Sequence, residues 1–169
     1  MKGMPRKSAA AIRLLVLDVD GVLTDGRLYF GPRGEALKLF HVRDGLGIQQ
    51  VAKAGIEVAV ISGRKSAMVD VRCRELGVEH VHQGAKDKVA VLEKLCARLK
   101  IETSECACVG DDLPDIPVMR KVALAFAVAD AHTEARHAAH LVTKLPGGHG
   151  AVREVCDYLL ANRPKARAT

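Results

Sequence analysis

The chain has 169 residues, of which 49% are hydrophobic, 27% are charged and only 3% are aromatic, with no Trp. This length suits one domain with its own core and is too short for two ordinary domains, and the composition is globular rather than disordered or fibrous. A net charge of +6 is compatible with nucleic-acid binding. The interior nevertheless lacks the interleaved aromatic and basic residues typical of single-strand binders, so an anionic phosphorylated ligand explains the charge equally well.

Cysteine usage and hydropathy bear on the compartment. The five cysteines are an odd number without framework spacing, which predicts free thiols in a reducing compartment. Cys106 and Cys108 are predicted to be core residues of one strand, because no further zinc ligands lie nearby. No apolar stretch reaches the ~18 residues of a transmembrane helix, and no apolar segment of signal-peptide length follows the basic residues 1–11. We therefore expect a cytoplasmic protein that binds neither membrane nor nucleic acid.

Strand and helix patterns alternate along the chain. An apolar run predicts a strand at 12–17, and alternation on both sides of 31–34 predicts a β-hairpin formed by 27–30 and 35–42. Further strands are predicted at 58–61, 78–82, 106–109, 124–128 and 141–143, and helices at 44–54, 65–76, 87–99, around Pro114 and Pro117, at 132–139 and at 150–162. This order predicts an α/β fold with a doubly wound, mostly parallel, Rossmann-like sheet and one inserted hairpin, within a single domain at 1–169 that ends in a basic tail at 163–169.

Polar side chains follow four of the predicted strands, at the edge where open α/β sheets bind ligands. In chain order these groups are Asp18, Asp20, Thr24 and Asp25; then Ser62, Gly63 and Arg64; then Gly84, Lys86, Asp87 and Lys88; then Gly110, Asp111, Asp112 and Asp115. Each also has an ordinary interpretation: a turn at Asp20-Gly21, a helix cap at Ser62, capping acids at Asp112 and Asp115, and a solvated cation at Lys88. Their appearance in order, each after an apolar strand, favours a functional site.

These residue types fit phosphoryl transfer. Asp18 and Asp111 could share one Mg²⁺, which prefers oxygen ligands and is commonly held by one or two carboxylates together with substrate phosphate oxygens. Asp18 could attack phosphorus to form an aspartyl-phosphate, and Asp20 could protonate the leaving alcohol and later deprotonate water. The residues that could bind and neutralise the phosphate are Ser62, Gly63 and Lys88.

The segment 18–25, D-V-D-G-V-L-T-D, resembles the first motif of the haloacid dehalogenase superfamily. Ser62, Lys88 and the segment 110–115 resemble its second, third and fourth motifs, and Lys86 is the poorer match to the third. The resemblance implies a fold of haloacid dehalogenase type, with Asp18 as nucleophile, Asp20 as acid/base, and Ser62 and Lys88 binding phosphate. It further implies Mg²⁺ held by Asp18, the Asp20 backbone carbonyl and Asp111, with Thr24, Asp112 and Asp115 in support.

The segments 26–30, 34–36, 40–47, 147–151 and 153–154 resemble one capless branch of the superfamily. The branch contains phosphatases of phosphorylated sugar acids, among them 3-deoxy-D-manno-octulosonate 8-phosphate, a precursor in lipopolysaccharide synthesis. The resemblance implies that activity, no cap domain, and a homotetramer in which the hairpin at 26–42 joins subunits that help to cover each other's sites. A lone hairpin would be marginally stable and would expose its edges; the alternative is that it folds back on its own domain.

Two arginines bear on the substrate. Arg64 follows Ser62-Gly63, where sibling enzymes for nonulosonate 9-phosphates carry an acidic residue; an arginine there would pair with a sugar-acid carboxylate and favours the eight-carbon substrate. Arg43 is a second candidate for binding the substrate anion. The alternative for Arg64 is a surface arginine, and the alternative for Arg43 is a loop charge paired with Asp44. A phosphatase or phosphotransferase for a nonulosonate 9-phosphate or for sugar phosphates in general stays open, and a non-catalytic regulatory module is disfavoured because every motif residue is intact.

Overall fold

A six-stranded parallel sheet forms the centre of the structure, a computed structural model that describes residues 9–163. In chain order the strands are β1 (Leu14–Leu17), β2 (Tyr29–Gly31), β3 (Gly34–Leu37), β4 (Glu57–Ser62), β5 (His80–Gln83), β6 (Cys106–Gly110), β7 (Leu124–Ala127) and β8 (Leu141–Val142). The sheet has the order β5-β4-β1-β6-β7-β8, while β2 and β3 form a separate antiparallel hairpin. Because the chain winds outward in both directions from β1, the ends of β1, β4 and β6 form a topological switch point, where ligands bind in such sheets.

Helices connect the strands and cover the sheet. Those within the described residues are α1 (Val42–Lys53), α2 (Ala67–Leu76), α3 (Lys88–Leu99), α4 (Ile116–Met119), α5 (Thr133–Ala138) and α6 (Ala151–Ala161), with 3₁₀ turns at Thr103–Glu105 and Leu113–Asp115. The sequence signals that predict the ends of two of these helices are confirmed. Helix α2 ends at Gly77, which adopts the left-handed conformation (φ 74°), and Asp87 caps α3 by accepting a hydrogen bond from Ala90 N at 3.0 Å.

The prediction that the second hairpin strand extends to residue 42 is wrong. The strand ends at Leu37, and α1 begins at Val42 rather than at residue 44. The cause is His41, whose Nδ1 accepts a hydrogen bond from Arg43 N at 3.2 Å and so caps the helix. Residues 38–41 therefore form the link between hairpin and helix.

The core is aliphatic, as the composition indicates. Every residue of β1, β6 and β7 is buried, as expected for parallel strands covered on both faces. All five cysteines are free and buried, so the prediction that Cys106 and Cys108 are core residues is confirmed. Among residues 9–163, no helix has both the length and the hydropathy to cross a bilayer.

The hairpin exposes apolar side chains to solvent, namely those of Leu28, Phe30, Leu37 and Leu39. Between residues 25 and 57 the chain forms only this hairpin and α1, and between Lys88 and Asp111 only α3, one 3₁₀ turn and β6. Both ranges are described in full, and neither contains a cap. Of the predicted basic tail at 163–169, all but Arg163 lies outside the described residues.

Candidate active site

A cleft of about 320 Å³ opens at the carboxyl edge of the sheet, beside the ends of β1, β4 and β6. It is lined by Asp18, Asp20, Gly26, Ser62, Gly63, Arg64, Lys88, Asp111, Asp112, Pro114 and Asp115. The structure therefore brings together all the predicted site residues except Thr24 and Arg43. Parallel pairing explains this convergence, because the four strands that precede these residues all end at the same edge.

Three carboxylates crowd one side of the cleft. Asp18, Asp111 and Asp115 each place one oxygen within 4.8 Å of the others. Burial raises the pKa of Asp18 to about 6; the charge of Asp115 adds to this effect and that of Lys88 opposes it. Burial, and then the charges of Asp18 and Asp115, raise the pKa of Asp111 to about 8. A cation placed among these oxygens would favour their ionised forms, and a set of carboxylate oxygens fits Mg²⁺.

Lys88 is the buried cation of the cleft. It begins α3, and its Nζ lies 2.7 Å from Asp115 Oδ1 and 3.0 Å from Asp18 Oδ1. Burial opposes protonation of Lys88, but the charges of Asp18 and Asp115 outweigh it and raise its pKa. The contact of Asp18 Oδ1 with Lys88 is a charge pair rather than a hydrogen bond of regular geometry. Lys86, by contrast, is exposed and does not line this cleft.

Asp112 and Asp115, the two acids that follow Asp111, make different contacts. Asp115 Oδ2 accepts hydrogen bonds from the backbone N–H of Asp111 at 3.0 Å and of Asp112 at 3.3 Å, while Oδ1 accepts from Lys88. Asp115 thus ties the loop that carries Asp111 to the buried lysine. Asp112 Oδ1 accepts from Leu113 N at 2.8 Å, and Asp112 and Asp115 together form a capping box, so the capping interpretation holds for both acids.

Thr24 shapes the loop after β1. Its side chain is buried, and Oγ1 donates to Val19 O at 3.4 Å while accepting from Gly21 N at 3.4 Å and Gly26 N at 3.2 Å. These bonds close the turn in which Asp20 stands. The supporting position predicted for Thr24 is thus one of loop geometry, since Thr24 does not line the cleft.

Asp20 lies between two cations, one of which the sequence reasoning missed. Lys38 Nζ pairs with Asp20 Oδ1, and Arg64 Nε lies 3.6 Å from Asp20 Oδ2. Glu35 joins both cations, with Oε1 at 3.1 Å from Lys38 Nζ and 3.5 Å from Arg64 Nη2. A lysine and a glutamate beside an exposed hairpin have the sequence signature of solvated residues, so no local pattern marks them as part of the site.

Arg43 lies away from the cleft, in the first turn of α1. The alternative interpretation pairs Arg43 with Asp44. Asp44 is buried, and its carboxylate accepts hydrogen bonds from Gly150 N at 3.3 Å and Arg153 N at 2.7 Å. Asp44 therefore caps the start of α6 from a distant part of the chain, and its carboxylate is not turned to Arg43. The substrate-binding role of Arg43 stays a prediction.

Comparison with known proteins identifies the family. Residues 78–154 match the family model of the haloacid dehalogenase-like hydrolases. The chain is also 52% identical over 157 residues to the 3-deoxy-D-manno-octulosonate 8-phosphate phosphatase KdsC of Escherichia coli strain K12, an alignment that covers 93% of this chain and 84% of that protein. The chain belongs to the haloacid dehalogenase-like hydrolases.

Solved structures of similar hydrolases share the fold. A probable YrbI-family phosphatase from Pseudomonas syringae pv. phaseolica has a TM-score of 0.92 and 48% identity, with 94% of this chain and 90% of the other covered. The 3-deoxy-D-manno-octulosonate 8-phosphate phosphatase from Moraxella catarrhalis, in complex with magnesium, phosphate and the KDO molecule, has a TM-score of 0.91 and 42% identity, with 94% and 91% covered. The family and fold class predicted from the sequence are confirmed.

Gly21 is a second feature of this hydrolase that sequence reasoning missed. Its φ of +85° lies in the left-handed region, and a Cβ at this position would collide with Asp111 Oδ2. Asp111 reaches its place only because residue 21 has no side chain. The segment 147–148 supports the same loop, since Gly148 N donates to Val22 O at 2.9 Å.

Gly21→Ala is expected to destabilise the protein and to displace Asp111. The left-handed backbone alone costs a non-glycine residue about 1–2 kcal/mol, and the collision with Asp111 adds to this cost. Thermal unfolding and Mg²⁺ titration should both report the change. Gly63→Ala is the matched control for stability, because the nearest atom to its Cβ would be Ala85 O at 3.8 Å, an ordinary contact; equal unfolding temperatures for the two variants would contradict the prediction.

Proposed function

We propose that this hydrolase converts 3-deoxy-D-manno-octulosonate 8-phosphate to the free sugar acid and inorganic phosphate, with Mg²⁺ as cofactor, as a step in making a lipopolysaccharide precursor. The observation that carries the proposal is the cleft itself, where Asp18 meets Asp111 on one side and Lys88 on the other. The substrate is supported by the names of the Escherichia coli and Moraxella catarrhalis relatives, which cover most of the chain at 52% and 42% identity.

The residues that would hold Mg²⁺ are Asp18, Asp111 and the backbone carbonyl of Asp20. The raised pKa values of Asp18 and Asp111 and the closeness of the oxygens of Asp18, Asp111 and Asp115 support this assignment. When bound, the ion would neutralise the repulsion between these carboxylates and the phosphate dianion. Asp115 acts through the loop, by fixing the backbone of Asp111 and the ammonium of Lys88.

The reaction proceeds in two displacements at phosphorus. In the first, an oxygen of Asp18 attacks phosphorus, the bond to the sugar oxygen breaks, and Asp20 donates a proton to that oxygen. In the second, Asp20 takes a proton from a water molecule that attacks phosphorus, which releases phosphate and restores the Asp18 carboxylate. Lys88 Nζ, Ser62 Oγ and the Gly63 N–H stabilise the charge on the transferring group.

The space around Gly63 suits the binding of a phosphate oxygen by its backbone N–H. A Cβ at this position would lie 3.8 Å from its nearest neighbour, Ala85 O, so packing inside the chain does not require glycine there. Close approach of a phosphate oxygen to the backbone N–H would require it. Ser62, which ends β4, is buried, with Oγ accepting from Arg64 N at 3.3 Å, and its hydroxyl proton is free to be donated to the phosphate.

Arg64 is proposed to bind the carboxylate of the substrate. It lines the cleft, and its half-exposed side chain contacts Asp20 and Glu35 only at 3.6 and 3.5 Å. A substrate carboxylate could take both N–H groups in a bidentate pair and draw the guanidinium from these long contacts. Arg43 is kept as a second candidate, which would have to act from outside this cleft, for instance on the site of a neighbouring subunit.

Phosphate release in the presence of Mg²⁺ tests the proposed substrate. The 8-phosphate of the octulosonate, a nonulosonate 9-phosphate and common sugar phosphates should be compared by kcat/KM. A preference for the 8-phosphate that weakens in Arg64→Ala supports both the substrate and the role of Arg64. Equal kcat/KM values for all of them would reject the substrate while leaving the chemistry, and no release from any of them would reject the enzyme.

The contribution of Asp18 and Asp111 to the stability of the metal-free protein is expected to fall as the pH rises. The pKa values of Asp18 and Asp111 rise from 3.8 to about 6 and about 8 on folding, so the native state binds more protons than the unfolded state between these limits. Stability present at low pH is therefore lost as the pH rises from about 4 to about 8. Mg²⁺ should reverse the loss, adding about 2.7 kcal/mol at 100 times its Kd.

Thermal unfolding in chelator and in Mg²⁺, at pH values across this window, measures the effect. Mg²⁺ should raise the unfolding temperature more at the high end of the window than at the low end. The buried carboxyl of Asp44 also has a raised pKa, but it contributes equally with and without the ion, so the difference between the two curves isolates the cleft. A gain from Mg²⁺ that does not depend on pH would contradict the assignment.

We also propose that residues 1–169 form a single domain with a basic tail at 163–169, that the hairpin at 26–42 assembles it into a homotetramer, and that the protein is cytoplasmic. The exposed Leu28, Phe30, Leu37 and Leu39 support assembly through the hairpin, and the five free buried thiols support a reducing compartment. Sedimentation of Phe30→Asp tests the assembly: a tetramer as stable as the wild type would reject the hairpin as its interface. Cell fractionation tests the compartment.

A further inference from the structure

We propose that Lys38 is a positioning residue for Asp20: it holds Oδ1 in place, so that Oδ2 is the oxygen that exchanges the proton. The inference rests on the proposed function, because that function makes Asp20 the acid/base of the two displacements. Lys38 belongs to none of the four motifs, and it comes from the link that follows the hairpin rather than from the end of a sheet strand.

The burial of Lys38 is the first observation. Only 2% of its side chain is exposed, although lysine is almost never fully buried unless it is paired. Its Nζ has two carboxylate partners, Asp20 Oδ1 and Glu35 Oε1, the latter at 3.1 Å. A buried ammonium is costly unless paired with good geometry, so Lys38 is fixed where it stands and fixes Asp20 Oδ1 with it.

The two oxygens of Asp20 have different partners. Oδ1 faces the buried Lys38, whereas Oδ2 faces Arg64, whose side chain is 45% exposed and whose Nε is 3.6 Å away, beyond hydrogen-bond distance. Arg64 lines the cleft and Lys38 does not. Oδ2 is therefore the oxygen on the side of the cleft. Its partner Arg64 can move away, whereas Lys38, the partner of Oδ1, is held in place by burial.

Glu35 allows Arg64 to move away from Asp20 without leaving a buried charge unpaired. Its carboxylate contacts both Lys38 and Arg64, and although burial opposes it, hydrogen bonding and the charges of these two cations lower the pKa of Glu35. When Arg64 turns toward a substrate carboxylate, Glu35 keeps its contact with Lys38. The pair Glu35–Lys38 thus stays neutral overall and continues to hold Asp20.

As a consequence, the same oxygen of Asp20 exchanges the proton in both displacements. In the first displacement Asp20 Oδ2 donates its proton to the sugar oxygen as the bond to phosphorus breaks, and in the second it takes one proton from the attacking water. Lys38 keeps its own protons throughout. Without Lys38 the carboxylate can rotate about its χ2 torsion, and Oδ2 no longer meets the leaving oxygen in one orientation.

Lys38→Met tests the proposal, because it removes the ammonium and keeps most of the stem. We expect kcat for the 8-phosphate to fall by about 10–100-fold, part of the usual contribution of acid–base catalysis, while KM changes by less than about twofold. Lys121→Met is the matched control: Lys121 pairs with Glu93 on the surface, remote from the cleft lining, and its loss should leave kcat unchanged. Lys38→Gln, which keeps a donor near Asp20, covers the case in which methionine is not tolerated, with an intermediate kcat expected.

Chemical rescue separates positioning from a purely structural role. In Lys38→Ala, ethylammonium chloride should restore part of kcat, whereas tetramethylammonium chloride at the same ionic strength should not, because it has no N–H to donate. A folded Lys38→Met or Lys38→Gln with kcat within about twofold of the wild type would overturn the proposal. So would equal responses of Lys38→Ala to the two salts. Absence of turnover in the wild type would instead overturn the proposed function on which the inference rests.

Discussion

Asp18→Asn is expected to lower phosphate release by at least about 10⁴-fold, since loss of a nucleophile removes the covalent route itself. An amide oxygen is a poor nucleophile and a weaker ligand for a divalent cation than a carboxylate, so both proposed roles of Asp18 fail together. The side chain keeps its shape, and the fold should be retained. Steady-state phosphate release from the 8-phosphate, with Mg²⁺ in excess, measures the loss.

The stability of Asp18→Asn supplies a second readout with the opposite sign. Burial and the neighbouring Asp115 raise the pKa of Asp18, so its ionised form destabilises the metal-free protein at neutral pH. The variant should therefore unfold at a temperature equal to or above that of the wild type in chelator. Asp157→Asn is the matched control: Asp157 is exposed and pairs with Arg153 outside the cleft lining, so activity should stay near that of the wild type. Activity of Asp18→Asn within about tenfold of the wild type would contradict its assignment as nucleophile.

Lys88→Met is expected to lower the activity strongly and to make the protein unfold more easily. Its ammonium lies between Asp18 and Asp115, both of which are largely buried. Removing one partner of a buried ion pair typically costs about 3–5 kcal/mol, because a charge is left without compensation; we expect a loss of that size in the free energy of unfolding. Phosphate release should fall by about 10³-fold, as it does when electrostatic stabilisation of a transition state is lost.

Controls for Lys88 are available in the same segment. Lys86→Met changes an exposed lysine just before α3, and its unfolding curve and activity should match the wild type. The double variant Lys88→Met with Asp115→Asn removes one of the stranded carboxylates and should recover part of the stability but none of the activity. Full stability in Lys88→Met, or recovered activity in the double variant, would contradict the electrostatic account of this lysine.

Much of the site could be predicted from the sequence because its signals are local. Asp18, Ser62 and Asp111 stand at or just beyond the ends of apolar strands, and parallel pairing brings such ends to one edge. Helix ends were marked by their own residues, as at Gly77 and Asp87. These features depend on neighbours within a few positions, which a sequence displays directly.

What the sequence did not predict depends on contacts between distant segments. The pairing of Lys38 with Asp20 joins a link after the hairpin to a loop before it, and Gly21 is constrained by Asp111, far along the chain. Asp44 caps a helix that begins more than one hundred residues later, as the separation of 106 from Gly150 shows. None of these residues has a neighbour in sequence that signals its role. The second hairpin strand is shorter than the alternation predicts for a simpler reason, since a histidine cap at residue 41 is an uncommon helix start.

The most direct test of the account is to look for the phosphoryl group on Asp18 during turnover. The wild type would be mixed with the 8-phosphate and Mg²⁺, and Asp20→Asn with p-nitrophenyl phosphate and Mg²⁺, because nitrophenolate leaves without the proton of Asp20 and only the second displacement is then slowed. Both samples would be quenched in acid and analysed by peptide mass spectrometry. The account predicts the mass of one phosphoryl group on the peptide that contains Asp18, with none in Asp18→Asn. Turnover of the wild type with no phosphoryl group on the protein in either enzyme, or with the group on Asp111, would contradict it.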